Sequence, residues 1–293
     1  MWFKKEPTKK RRTIRKVNVR GFAAAEDSNI LSDFKGTSKS IDAELSSGLR
    51  KMRMRSRTLS QDNDYAKKYL SMVRSNVVGA SGFMLQGKAK KPDGSLDQTD
   101  NEYIEKSFKK WGSYTTCTMS KKLSWGDVQN LFIETVARDG EALCVIVYGK
   151  DLPYGMALQM VDIDLLDESY NVRLDNGNQI RMGVEQDKYG APVAYHLLSE
   201  HPGDDSVYTY MQKRYKKIPA SEVIHAFISE RPGQSRGAPW MHTAIRRLNM
   251  LGGMEEAELV ASRVAASKMG FFTSPDGDGY VGDDEEEEEG ALI

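Results

Sequence analysis

Apolar residues recur at helical spacing over one long stretch toward the C-terminal end: Met241, Ala244, Ile245, Leu248, Leu251, Met254, Ala257, Val260, Ala261, Val264 and Ala265. Pro239 stands just ahead of the stripe, where a first-turn proline sacrifices no needed donor. The pattern predicts one uninterrupted helix from Pro239 to Met269, roughly 45 Å long at 1.5 Å per residue. That is long for a globular helix and suits a strut, a stem or a packing column. Gly252-Gly253 lowers its propensity by about 1 kcal/mol per glycine relative to alanine. A bend at the pair and close approach of another helix both account for them; we expect a bend. The preceding segment, IPASEVIHAFISERPGQSRGAPW (Ile218–Trp240), reads as an apolar strand followed by a strand-to-helix corner containing Gly233, Arg236, Gly237 and Pro239.

The first half of the chain has helical periodicity. Ile41, Leu45, Leu49, Met52 and Leu59 mark one helix, whose other face, with Arg50, Lys51, Arg53, Arg55 and Arg57, forms a dense basic surface. Nucleic acid, an acidic protein surface and plain solvent would each suit that face. A second helix runs through DYAKKYLSMVRSNVVG, with Asp62 or Asn63 as N-cap and Gly79 as its stop. FMLQGKA reads as a strand. NEYIEKSFKKWG is an amphipathic helix with Tyr103, Ile104, Phe108 and Trp111 on one side. SWGDVQNLFIETVARDG is another, capped by Ser124, with Val128, Leu131, Phe132, Thr135 and Val136 inward. Asp139-Gly140 turns it into ALCVIVY, a continuous apolar run fit for a buried strand.

From Met156 the pattern becomes β-like. Candidate strands are MALQMVDI, QIRMGVEQ, PVAYHLLS, VYTYMQK and VIHAFIS, separated by turn signals at Asp175–Asn178, Lys188–Gly190 and His201–Asp204. A helical segment followed by an antiparallel meander makes the fold class α+β.

Composition adds a charge asymmetry. The chain has 293 residues, 39% hydrophobic and 29% charged, with a formal net charge of zero. Its first twenty residues are strongly basic, whereas DGDGYVGDDEEEEEG near the other end is acidic. Such blocks read as solvated tails or interaction arms, and the basic arm could bind phosphate by counterion release. No run of about 18 apolar residues marks a membrane span, and no apolar segment follows the N-terminal charges as in a secretory signal. Cys117 and Cys144 have no C-x-x-C spacing, which supports neither a disulfide framework nor a zinc site and fits a reducing compartment.

A search for chemistry finds no catalytic, metal or cofactor residues. None of His196, His201, His225 and His242 stands four residues from another, and H-E-x-x-H is absent. His196 and His225 read as structural, hydrogen-bonded histidines within apolar strands. GQSRG lacks the Walker A spacing and lysine; a weak anion site ahead of a helix and a flexible corner both remain open. Asp162 and Asp164 fall on one side of a strand, as in two-metal sites, without a third ligand or a base.

Several segments, in order, resemble the lambda-type tailed-phage portal proteins. LRKMRMRSRTLSQDNDYAKKYLSMVRSNVVG (Leu49–Gly79), ARDGEALCVIVYG (Ala137–Gly149), MALQMVDIDLLD (Met156–Asp167), MGVEQDKYGAPVAYHLLSEHPGD (Met182–Asp204) and Ile218–Trp240 carry the likeness over roughly Ile41 to Phe272. The resemblance implies a structural, non-enzymatic ring subunit, usually in twelve copies, at one vertex of the virion head, assembled in the host cytoplasm. DNA passes its channel in packaging and ejection. The partners implied are other copies of the chain, terminase, capsid and scaffold proteins, head-completion proteins and double-stranded DNA read without sequence preference; no membrane and no cofactor are implied.

In family terms residues 1–36 would be a basic flexible arm, 37–237 an α+β wing, 238–270 the first stem helix and 271–293 the start of the clip with an acidic tail. Family members continue through a clip, a second stem helix, a channel loop and a crown; here DDEEEEEGALI stands instead, so the sequence reads as the family's N-terminal part with clip and crown absent. Candidate DNA or subunit contacts are Arg50, Arg53, Arg55, Arg57, Arg246, Arg247, Arg263 and Lys268. The alternative function is a soluble nucleic-acid-binding or nuclease-type protein that uses its basic N-terminal segment.

Overall fold

The computed structural model describes residue 36 and residues 38–204 and 214–267. Contacts divide the chain into Met1–Lys39 and Ser40–Ile293, and the account below concerns the second unit. The basic arm, the predicted strand VYTYMQK, Lys268 and the clip and tail segment lie outside the described residues.

Four helices open the unit. In α1 (Ile41–Asp62), Ser40 caps the first turn, and Asp42 and Glu44 complement its dipole. Ile41, Leu45, Leu49 and Leu59 are buried as the periodicity requires. Asn63 alone separates α1 from α2 (Asp64–Val77), and its side chain accepts the Ala66 N–H at 3.0 Å. Gly79 follows α2 and donates its N–H to the Arg74 carbonyl. Asp97 caps α3 (Gln98–Trp111). A reciprocal Ser124–Asp127 capping box starts α4 (Trp125–Asp139).

β1 (Glu141–Tyr148), β2 (Met156–Val161) and β8 (Val223–Phe227) form an antiparallel sheet in the order β2-β1-β8. The second sheet is an antiparallel meander of β3 (Val172–Arg173), β4 (Gln179–Arg181), β5 (Val184–Gln186), β6 (Pro192–Leu198) and β7 (Tyr215–Pro219), in chain order. β1 explains its own apolar run, because both of its faces are covered. Leu143 and Val145 point to a core shared with Ile163, Leu166, Val184, Tyr195 and Ile218. Cys144 points the other way, to Leu158 and to Trp111, Cys117 and Val128 under the helices.

Four local expectations are corrected. FMLQGKA has no regular secondary structure and is no strand of either sheet. Side chains hold its backbone instead: Gln129 accepts the Phe83 N–H, Glu105 that of Gly87 and Asn101 that of Ala89. QIRMGVEQ is a hairpin rather than one strand, because Met182 (φ 46°) and Gly183 (φ 85°) both take left-handed conformations between β4 and β5. Tyr103 and Ile104 face solvent, while Phe108 and Trp111 pack with Trp125. VDID leaves the sheet after Val161; Asp162 caps a 3-10 turn at Ile163–Leu165, so Asp162 and Asp164 do not share a strand face.

The long helix, α5 (Ile245–Ser267), begins later than predicted. Pro239 is not in its first turn, because the corner ahead of it is clamped. A side chain on Gly140 would place its Cβ 2.3 Å from the Ala238 carbonyl carbon, and one on Gly237 would meet the Gly140 oxygen at 2.1 Å. The Trp240 N–H is bound to the Ala137 carbonyl. With the backbone pressed against the end of α4, Pro239 accepts only a single backbone turn bond, from the His242 N–H, and the first bond spanning four residues runs from Ile245 to Met241. Gly237→Ala is therefore expected to destabilise the fold by about 3 kcal/mol through overpacking, read as a lower urea midpoint. An unchanged midpoint would mean that the corner relaxes freely.

Candidate functional site

Glu141, the first residue of β1, is fully buried. Arg236, equally buried, donates from Nε to both its carboxylate oxygens at 2.8 and 2.9 Å. Arg236 Nη1 also donates to the Leu166 and Met182 carbonyls at 2.9 and 2.7 Å. The Gly237 N–H at 3.1 Å and His225 Nε2 at 3.0 Å complete the set around Glu141 Oε2. Burial alone would raise the Glu141 pKa, but the Arg236 charge and the His225 hydrogen bond outweigh it and hold the carboxyl well below the usual range.

This pair lies inside a larger ionic cluster. Arg53 reaches Asp164 at 2.7 Å and Glu168 at 2.5 Å. Arg57 binds Asp139 at 2.9 Å, Asp164 at 2.6 Å and Asp162 at 3.0 Å. The expected basic surface of α1 is thus corrected: Arg53 is 1% exposed and Arg57 is turned toward carboxylates, whereas Arg50, Lys51 and Arg55 face solvent. Two of the five cations, Arg53 and Arg57, supply counter-charges for the VDIDLLDE turn. Asp162, Asp164 and His201 lie within 4.8 Å of one another, as a metal site would require. Arg57 bridges both carboxylates, so it already supplies the charge a cation would bring.

The corner is equally occupied with internal work. Ser235 donates its N–H and hydroxyl to Asp42 at 2.8 and 2.6 Å, and Gln186 donates to Ser235 Oγ at 2.9 Å. GQSRG is a latch joining α1, both sheets and the approach to α5. The Ser235 and Gly237 N–H groups and Arg236 Nε and Nη1 are bound there, and Arg236 is fully buried, which speaks against the anion-site reading. The structural reading of two histidines fits: His225 serves Glu141, and His196 lies 3.0 Å from Glu185, which Lys217 and Asn178 also bind.

Apolar packing holds α5 at its base. Ile245 and Met241 are buried with Leu59 and Ala66, and Tyr69 and Leu248 pack against them. Ile245, Leu248, Gly252 and Glu255 follow at three- and four-residue steps and so share one face. Tyr65 donates to Glu255 at 2.9 Å. Met250, Met254, Ala257, Ala261 and Val264 follow the same steps on the opposite side and are exposed, Met254 at 70%. The predicted stripe therefore divides into a short docked face and a longer uncovered one. Arg246, Arg247 and Arg263 are exposed on this helix, which is unbroken through Gly252 and Gly253.

Removing one partner of the buried pair leaves the other charge without compensation, at a cost of about 3–5 kcal/mol. Arg236→Met should unfold the protein at correspondingly lower denaturant, whereas Arg55→Met should leave the midpoint within about 0.5 kcal/mol. A second expectation concerns acid. Burial would raise the Glu185 pKa, but hydrogen bonds from Lys217, Asn178 and His196 lower it to about 2 from its ordinary 4.5. Its stabilisation is complete above pH 4.5 and is lost as pH falls toward 2. Glu185→Gln should flatten that part of the pH–stability curve.

The sequence profile described as "Phage portal protein, lambda family" matches residues 27–292. The chain is also 34% identical over 296 residues to a "Probable portal protein" of Halomonas phage phiHAP-1, covering 98% of this chain and 56% of that relative. The chain thus spans about half the length of the curated relative it matches. No helix among the described residues is long and apolar enough to cross a membrane. With its α+β body and antiparallel sheets in place, the chain belongs to the lambda family of phage portal proteins.

Proposed function

We propose that this chain is the wing and first stem helix of a portal subunit, which assembles into a ring around a DNA channel at the head vertex. The observation that carries the reading is α5. Beyond Glu255 it has an apolar face that nothing among the described residues covers, and an exposed apolar stripe of this kind marks an assembly surface. In a ring, the neighbouring copy supplies the cover. The body from Ser40 to Gly237 is the wing; terminase meets the subunit beyond α5, and capsid, scaffold and head-completion proteins meet the assembled ring.

The charges on α5 suit a passage rather than a grip. Arg246 and Arg247 precede, and Arg263 follows, the acidic group Glu255, Glu256 and Glu258. DNA that must slide can be handled only through its phosphates, and a mixed surface keeps that attraction weak. The inward turn of Arg53 and Arg57 takes two cations away from the alternative, a soluble nucleic-acid binder.

Mass photometry and negative-stain microscopy of the purified protein test the proposal. Rings are expected, and Met254→Glu should weaken association at least tenfold, since burying a methionine contributes about 1.5–3 kcal/mol. Single chains at every concentration, unaffected by that substitution, would count against it. So would metal-dependent nuclease or ATPase activity in the purified chain.

A further inference from the structure

Gly252 and Gly253 lie between the two places where α5 is held. On one side are the apolar contacts of Ile245 and Leu248; on the other is the Tyr65–Glu255 hydrogen bond. Sterics within the chain do not require glycine at either position. A Cβ on Gly252 would meet only Asn63 Nδ2, at 3.9 Å, and one on Gly253 would meet nothing within 4 Å. This contrasts with Gly140 and Gly237, where backbone lies within 2.3 Å of the added carbon. Close packing explains that second pair and does not explain the first. Within one chain, what the pair supplies is the physical property that two adjacent glycines give a helix, namely a low local resistance to opening and bending.

The weak point is also well placed. The segment from Glu256 to Ser267 is exposed throughout, and Glu255 is the last residue of α5 with a described hydrogen bond to the body. Apolar packing fixes the base of the helix, but among the described residues nothing fixes the direction of its far end except the tie at Glu255. That tie is a single exposed hydrogen bond between two side chains, the class of contact that opens most readily.

We propose that Gly252-Gly253 is a joint in α5 and that Tyr65, on α2, is the positioning residue that sets its angle by holding Glu255. With the bond made, the helix is continuous, as observed. With it broken, the segment beyond Gly253 swings while Ile245 and Leu248 stay docked. The joint stands on this chain alone. Its use for adjusting the stem rests on the portal reading, so failure of the test below leaves that reading untouched.

Double electron–electron resonance between nitroxides at Lys68→Cys and Ser262→Cys reads the angle directly. Both positions are exposed, and the native Cys117 and Cys144 are buried. Labelled chain is diluted into an excess of unlabelled protein, so that only distances within one chain are measured. Tyr65→Phe, which removes the hydroxyl and keeps the ring, is expected to broaden or split the distance distribution. Gly252→Ala/Gly253→Ala in the Tyr65→Phe background is expected to narrow it again. In the native background the double alanine variant should slow amide exchange at residues 253–257 roughly thirty-fold, the effect of two glycine-to-alanine changes on local opening. A distribution indifferent to Tyr65→Phe shows that the tie does not set the angle. Exchange that the alanines fail to slow shows that there is no joint. Either result overturns the proposal.

Discussion

A carboxylate and a guanidinium that are both withdrawn from water constrain the rest of this structure. Glu141 and Arg236 cannot be solvated, so each must be satisfied by the other and by whatever the chain brings next to them. Those requirements fix the surroundings. The Leu166 and Met182 carbonyls accept from Arg236 Nη1, and the turn after β2 and the β4–β5 hairpin are thereby registered against the corner. The Gly237 N–H and His225 take the remaining lone pairs of Glu141, which registers the corner against β8. A pair of this kind is weak evidence for raw stability. Its effect is positional, because a shift of any one element leaves a buried charge without a partner.

The position of α5 follows from that registration. Arg236 precedes Gly237, which sits against the Gly140 backbone, and two residues later Pro239 leads into Trp240, whose N–H is held by Ala137. The start of the long helix is therefore dictated by side chains at the far ends of two sheets. On the other flank, Arg53 and Arg57 attach α1 to the turn that also presents the Leu166 carbonyl, and α1 carries Leu59, on which Ile245 rests. Both routes converge on one geometry for the base of α5. If the proposed ring forms, such over-determination would place each copy's helix alike.

How much of this the sequence made legible depends on the range of the interactions. The capping residues Asn63 and Ser124, the stop at Gly79 and the antiparallel β character after Met156 were readable, because caps, turns and periodicity are set by neighbours along the chain; that the strands within MALQMVDI and VIHAFIS leave the meander to flank β1 was not. The split of QIRMGVEQ was not, since nothing in its apolar pattern marks Met182 for a left-handed conformation. The inward turn of Arg53 and Arg57 was not readable either. On a helical wheel they belong to a basic face, and only the acidic turn more than a hundred residues away explains them. The same holds for Glu141 and Arg236, ninety-five positions apart. The segments that carried the family resemblance nevertheless contained the answer: ARDGEALCVIVYG supplies Glu141, MALQMVDIDLLD supplies Asp162 and Asp164, and GQSRGAPW supplies Arg236. Their likeness to the family marks the parts of one ionic cluster, although neither spacing nor charge revealed that they meet.

The two glycine pairs show why residue type alone does not reveal a role. Gly140 and Gly237 are required by contact: their backbones lie so close that any side chain would force them apart. Gly252 and Gly253 sit in open helix, where alanine would fit and would favour the helix more. Read along the chain, both pairs are only breaks in a pattern. Set against their surroundings, the first pair closes the body around its buried charges. The second lies just beyond the last well-packed turn, where the helix leaves the body and rigidity stops being enforced. The division between the fixed base of α5 and its uncovered length is thus written into the backbone itself, at the point where the influence of the Glu141–Arg236 cluster ends.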